Sequence, residues 1–283
     1  MIDVHAHLHD EAFIGDLDAV VDRARAVRIE NIVTIGTDPE ENRRAIACSE
    51  TYPEVRVSVG LHPHFFNERE WQAEDLKLRI EELRERAKHP KVVAIGECGL
   101  DYFSHDPTVS ITDDQKKIQR EGFLAQISIA AEQGLPLIIH TRPSAGTMDA
   151  YEDVFLILKA RPADEENRKA VILHCYMGDL AVTEKFLSLP DIFFSFTGNI
   201  TYKAKDGSDR DATLRMIPIE RMLSETDCPY LAPVPYRGKR NEPAYVAEVV
   251  RCIAEMKQMT YTETEERIGS NARAAFPRMF EIV

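Results

Sequence analysis

Apolar residues recur along this chain with two periods. Eight short runs are dense in Val, Ile, Leu and Phe: Ile2–His7, Asn31–Gly36, Val55–Gly60, Val92–Glu97, Pro136–His140, Ala170–His174, Ile192–Phe196 and Met222–Asp227. Runs of this length bounded by turn residues predict strands. Between them lie longer segments whose apolar positions recur every three to four residues, the spacing of a helix with one buried stripe. In Glu74–Ala87 that stripe is Leu76, Ile80, Leu83 and Ala87. In Asp113–Gln133 the helix is opened by Thr112 with Gln115 three residues on, a capping-box pattern, and closed by Gly134 before Pro136.

Strands alternating with helices pair in parallel through right-handed crossovers. Eight such units predict an α/β fold, a (β/α)8 TIM barrel, with a doubly wound sheet as the runner-up. No linker, repeat or low-complexity stretch divides the chain, so residues 1–283 are expected to form a single domain. Thr262–Phe280 is expected to pack across the barrel as an extra C-terminal helical segment. Ser104–Thr112, Pro162–Lys169 and Lys203–Ala212 read as surface loops, the first and last near the barrel mouth.

Composition narrows the partners. The formal charge of −13 argues against a broad basic surface that wraps nucleic acid, although a local anion site survives, because distant charges are screened within about 8 Å. No basic segment followed by an apolar run opens the chain, and no apolar stretch approaches the ~20 residues that span a bilayer. Five scattered cysteines suit reduced thiols. A cytoplasmic protein without a membrane partner is expected, as a monomer or small homo-oligomer.

In a barrel, chemistry sits where strands end. Strand one ends in His5-Ala6-His7, two imidazoles sharing a face with Asp3 beneath them as a supporting partner. His9 lies past the strand end and reads as a loop residue. Strand three runs into His62 and His64, strand four into Glu97 and Asp101, strand five into His140 and Arg142, strand six into His174, and strand eight into Glu225 and Asp227. Burying so many ionisable groups is costly unless they coordinate cations. Two divalent ions fit the count: His5, His7, Glu97 and Asp227 around one, with Glu97 bridging to His140 and His174 on the other. Cys98, Cys175 and Cys228 adjoin these ligands, but strand neighbours point to opposite faces, so packing is expected rather than zinc-thiolate bonding.

The runs D-V-H-A-H-L, G-L-H-P-H, G-E-C-G-L-D-Y, H-T-R, L-H-C-Y and E-T-D-C-P-Y-L-A-P, then P-x-R-G-K and the closing N-A-R-A-A-F, occur in order from residue 3 to residue 276. Together they resemble the TatD family of metal-dependent deoxyribonucleases within the amidohydrolase superfamily. The resemblance implies the same six ligands, and a phosphate or metal-water contact at His62. It places Arg237 and Lys239 on a loop near the substrate, with His64 and Arg142 among the expected substrate contacts. It also implies magnesium-dependent cutting of DNA, sometimes RNA, often from the 3′ end, with single-stranded DNA ends as substrate; manganese is expected to serve the same phosphoryl chemistry. Zinc is the further candidate, because imidazoles favour it. Two departures are Gly198–Asp211, longer and more polar than usual and carrying Asn199, Lys203 and Lys205, and the cysteines at 98 and 228.

The expected reaction is phosphodiester hydrolysis without a covalent intermediate, with Asp227 accepting a proton from water that the paired cations activate. The alternative enzyme uses the same ions on a carbonyl, as an aminoacyl-tRNA deacylase or lactonase would. A non-catalytic scaffold for metal or nucleotide would have no need of both a bridging Glu97 and a basic Asp227.

Overall fold

The computed structural model describes residues 1–67, 71–106, 108–161, 169–204 and 207–281. Of the loops expected from sequence, residues 107, 162–168, 205 and 206 therefore lie outside the described residues. Eight parallel strands, β1 (Ile2–Ala6), β2 (Asn31–Ile35), β3 (Val55–Val59), β4 (Val92–Asp101), β5 (Leu137–Arg142), β6 (Val171–Leu173), β7 (Ile192–Phe196) and β8 (Met222–Ser224), pair in chain order. The ring closes where Ala6 bridges Cys228 and the His7 N–H donates to the Cys228 carbonyl at 2.8 Å. Sequential pairing with this closure is the TIM barrel and excludes the doubly wound sheet, whose strand order reverses.

Among the described residues nine helices pack on the strands: α1 (Leu17–Ala26), α2 (Pro39–Thr51), α3 (Ala73–Arg86), α4 (Asp113–Gln133), α5 (Asp149–Lys159), α6 (Leu180–Leu187), α7 (Arg210–Met216), α8 (Val246–Lys257) and α9 (Tyr261–Ala275). The capping box predicted for α4 forms: Thr112 accepts from the Gln115 N–H and the Gln115 side chain accepts from the Thr112 N–H. Gly134 ends the helix at φ 63°, a left-handed conformation that glycine enters without steric cost. Among the described residues no helix is long and apolar enough to cross a membrane.

The strands bury two apolar layers. Their outward side chains, such as Val57, Val59, Leu100, Ile139 and Phe194, pack under the helices. Their inward side chains, Val4, Val33, Ile138, Ile172 and Leu223, meet Ala272, Ala275, Phe276 and Met279 from α9 and the turn after it. The C-terminal segment thus closes the barrel from the end opposite the histidines.

Two departures from simple alternation shape the other end. The β1 register slips between Asp3 and Ala6, so Ile2 and Val4 fill the interior while His5 and His7 still reach the mouth. Asp3, expected beneath the imidazoles, instead takes the N–H of Thr226 at 2.9 Å and its hydroxyl at 2.6 Å, and touches His5 through the main-chain N–H. Burial pushes its carboxyl up to about 8 against those hydrogen bonds. Strand β4 runs four residues past its predicted end. Its register slips between Ile95 and Cys98, then resumes with Gly99 opposite His140 and Asp101 opposite Arg142. Gly96 (φ 153°) allows this approach, since a Cβ there would lie 2.4 Å from the Ile138 carbonyl oxygen.

Candidate metal centre

The loops after the strands surround a cavity of about 730 Å³ lined by His7, Glu41, His62, Glu97, His140 and Asp227. It opens into a second of about 1200 Å³ that shares His140, His174 and Asp227. Both lie at the C-terminal ends of the strands.

Each side chain is delivered by an identifiable backbone feature. Strands β6 and β8 end earlier than the sequence suggested, at Leu173 and Ser224, and the chain beyond them turns left-handed at Cys175 (φ 44°) and Asp227 (φ 56°). His174 is the first residue after β6 and Asp227 the third after β8. Buried amides hold the neighbouring main chain: Asn42 of α2 pairs with both polar groups of Gly60, and from α4 Gln126 does so with Leu61 and Gln119 with Asp101. Asn241 donates to the Thr226 and Tyr230 carbonyls.

A tetrahedral centre with donors about 2.1 Å away spaces those donors about 3.4 Å apart. Here His5 Nε2 lies 3.3 Å from His7 Nε2, 3.5 Å from Glu97 Oε2 and 3.7 Å from Asp227 Oδ1. His7 Nε2 and Asp227 Oδ1 are 3.4 Å apart. His5, His7 and Glu97 form one group of donors within 4.8 Å of one another, with Asp227 beside both imidazoles, and this set fits one divalent cation. The other oxygen, Glu97 Oε1, faces His140 Nδ1 at 2.9 Å, His62 Nε2 at 3.6 Å and His174 Nε2 at 3.8 Å. One carboxylate therefore addresses two groups of imidazoles.

The rings are fixed from behind. His7 Nδ1 faces the Ile35 carbonyl at 3.1 Å, His174 Nδ1 lies 2.8 Å from Glu225 Oε1, and His140 Nε2 lies 3.0 Å from Asp101 Oδ2. His5 stacks on His174 with ring centroids 3.6 Å apart. Burial favours neutral forms, but ion pairing outweighs it at several positions. The carboxylates beside His140 (Asp101, Glu97) and His174 (Glu225, Glu97) raise those rings to about 9 and about 10. Burial would also raise Glu97, yet His174, His140, His5 and His62 hold it well below the usual carboxylate range. Asp227 is lowered in the same way by His7 and His174 against its burial. His62 is pushed down to about 3 by burial and by the neighbouring His140. Its Nδ1 accepts the His64 N–H at 3.1 Å, so the neutral ring carries its proton on Nε2, toward the cavity.

All six expected ligands converge here, and His62 joins them. Among the expected substrate contacts, His64 lies 2.9 Å from Asp101 Oδ2, and Arg142 stacks on Phe103 at 3.9 Å while lining both cavities. Arg237 stacks on Tyr202 at 4.5 Å and Lys239 is exposed, and neither lines the two cavities. His9 is not a free loop residue: its ring is buried, 3.2 Å from Thr34 Oγ1 and 4.0 Å from Glu41 Oε2. Cys98 and Cys228 pack in the core as expected, but Cys175 lines the larger cavity. Lys205 lies outside the described residues.

Sequence reasoning gave no role to Asp101 or Glu225. Both were recognisable, since residues 97, 99 and 101, and likewise 225 and 227, share a face by strand alternation. Stopping β4 at Glu97 hid the link from Glu97 to Asp101.

Comparison with known proteins agrees with this geometry. The family model described as TatD related DNase matches residues 2–277. A Bacillus subtilis protein named metal-dependent hydrolase YabD is 39% identical over 279 residues, covering 98% of each chain. The Erwinia amylovora 3′-5′ ssDNA/RNA exonuclease TatD is 33% identical over 281 residues, covering 98% of this chain and 99% of its own. Among solved structures, the TatD homologue YJJV from Escherichia coli superposes with a TM-score of 0.82 at 26% identity, covering 98% of both chains. A barrel whose mouth gathers imidazoles around one shared carboxylate thus coincides with a match along nearly the whole chain: the protein belongs to the family of TatD-related DNases.

Proposed function

We propose that residues 1–283 act as one metal-dependent hydrolase domain that cleaves phosphodiester bonds in single-stranded DNA, and in RNA, from the 3′ end. The observation that carries this reading is the donor spacing around Glu97, whose two oxygens serve separate imidazole groups. His5, His7, Glu97 and Asp227 would hold one divalent ion, and Glu97, His140 and His174 the other. Magnesium or manganese is the expected active ion, and zinc the ion expected to persist through purification. When bound, such ions make water more acidic and neutralise phosphate charge.

The chain's own groups do the rest. Asp227, ionised at neutral pH, accepts the proton of the attacking water. His62 donates its Nε2–H to a nonbridging phosphate oxygen. Arg142 supplies positive charge at the wall shared by both cavities. Arg237 and Lys239 are assigned to the approaching strand, beyond the scissile phosphate.

The test is 3′- and 5′-labelled single-stranded DNA with Mg2+, Mn2+ or Zn2+, comparing wild type with Asp227→Asn. The 3′ label should be released first, and the variant should be about 10²- to 10⁴-fold slower. Equal degradation by both proteins would refute the reading. Turnover of aminoacyl esters or lactones in place of DNA would transfer the same centre to carbonyl chemistry.

A further inference from the structure

Beside the metal centre lies a smaller cavity of about 380 Å³, formed by the segments that follow β6 and β7 together with α7. We propose that it is a stacking subsite for the nucleobase adjoining the scissile phosphate. The inference rests on the nuclease reading and adds a binding site to it.

The position comes first. Met148, Met177, Asp179 and Asn199 line both this cavity and the one containing His174 and Asp227. A nucleotide whose phosphate sits at the metals therefore has an adjoining compartment for its base. The chemistry changes across that boundary: the imidazoles are left behind, and Phe196, Ile200, Tyr202 and Leu214 line the cavity together with four charged side chains. Nucleotides carry the same division, a charged phosphate joined to a flat ring that stacks on apolar and aromatic side chains.

The walls are prepared for such a ring. Tyr202 is held in place by its hydroxyl, which donates to the Ala232 carbonyl at 2.8 Å, and by the Arg237 guanidinium over its ring. Met177 stands 65% exposed at the boundary, a large adaptable thioether that a base would cover. The Asn199 amide donates to Cys175 Sγ and Met177 Sδ, each at 3.5 Å. Sulfur accepts weakly, so the oxygen or nitrogen edge of a base is a better partner. The charged groups Asp179, Lys203, Asp209 and Arg210 also line the cavity, so the subsite holds a base by its face against the apolar part of the wall.

The test pairs oligonucleotides that differ only in whether the 3′-terminal nucleotide carries a base or is abasic. Wild type with Mg2+ should prefer the intact end by about tenfold or more in kcat/KM. Met177→Ala and Asn199→Ala should each bring that ratio toward one, whereas Leu156→Ala, on an exposed helix face, should keep it. Calorimetry with the Mg2+-loaded wild type gives a second readout: thymidine 5′-monophosphate should bind about tenfold tighter than deoxyribose 5-phosphate, and Met177→Ala should lose the difference. Equal kcat/KM on both ends with equal binding of both ligands overturns the subsite and leaves the nuclease reading standing. Preference for the nucleotide in binding, with neither oligonucleotide cut, supports the subsite and overturns the nuclease reading.

Discussion

Asp101 shows how much of this centre depends on residues that touch no substrate. Its Oδ2 lies within 3.0 Å of His140 and 2.9 Å of His64, and its main chain is gripped by Gln119 on both polar groups. His140 is thus fixed between two carboxylates, Asp101 behind and Glu97 in front. A carboxylate behind a ligating imidazole sets its tautomer and angle, and losing one costs about 10- to 100-fold in metal affinity or activity. Asp101→Asn should therefore weaken metal binding and kcat/KM by about that factor with little change in melting temperature; unchanged metal affinity would remove Asp101 from this role. The quoted run G-E-C-G-L-D-Y already contained this residue. It went unassigned because the register slip at Gly96–Cys98 arises from pairing with β5, about forty residues away. His5, His7 and Glu97 drew notice as residues at predicted strand ends, although the register slip in β1 departs from the simple alternation that placed Asp3 beneath the two imidazoles. Asn199 and Cys175 became meaningful only when β6 and β7 placed their loops around one cavity.

At the scale of elements, the apolar periods predicted all eight strands, and the capping residues placed the ends of α4. Ends were misjudged where a left-handed turn follows a strand, at Cys175 after β6 and Asp227 after β8, since neither is a glycine that would announce the turn. The turn between β5 and α5 offers a test of how a loop beside the mouth is held. Asp149 accepts from the Ser144 N–H at 2.9 Å, the Ser144 hydroxyl at 2.7 Å and the Thr147 hydroxyl at 2.9 Å, and pairs with Lys116 at 3.0 Å. Burial alone would raise this carboxyl, but these partners lower it to about 2. A depressed carboxylate stabilises the fold above its unfolded pKa near 3.9, and that contribution disappears as pH falls through the folded value. The full shift is worth about 2.5 kcal/mol, which solvent around a side chain 32% exposed reduces to about 1 to 1.5 kcal/mol. Asp149→Asn should lower the melting temperature at pH 7, and the gap to wild type should close between about pH 4 and pH 2. A gap that persisted at pH 2 would assign the stabilisation to shape rather than charge.

The whole molecule separates stability from chemistry along the barrel axis. One end is plugged by Ala272, Ala275, Phe276 and Met279 against the inward strand residues, and the other holds the ionisable cluster. The apolar end is closed by packing alone, and the buried carboxylates at the other end lie beside imidazoles that can partner them. Chelation should therefore abolish hydrolysis while leaving the far-ultraviolet circular dichroism unchanged. Adding Mn2+ at a hundred times its dissociation constant should then stabilise the fold by about 2.7 kcal/mol, because the cation binds the assembled mouth and not the unfolded chain. Phe276, fully buried, makes the complementary probe. Phe276→Ala should cost about 3 to 5 kcal/mol, lowering the chelated and the Mn2+-loaded melting temperatures together. Sites at opposite ends with no shared partners add to within about 0.5 kcal/mol, so the stabilisation by Mn2+ should survive the substitution. If Phe276→Ala erased the Mn2+ response, the plug would be shaping the mouth through the strands, and the division between a stabilising end and a reactive end would fail.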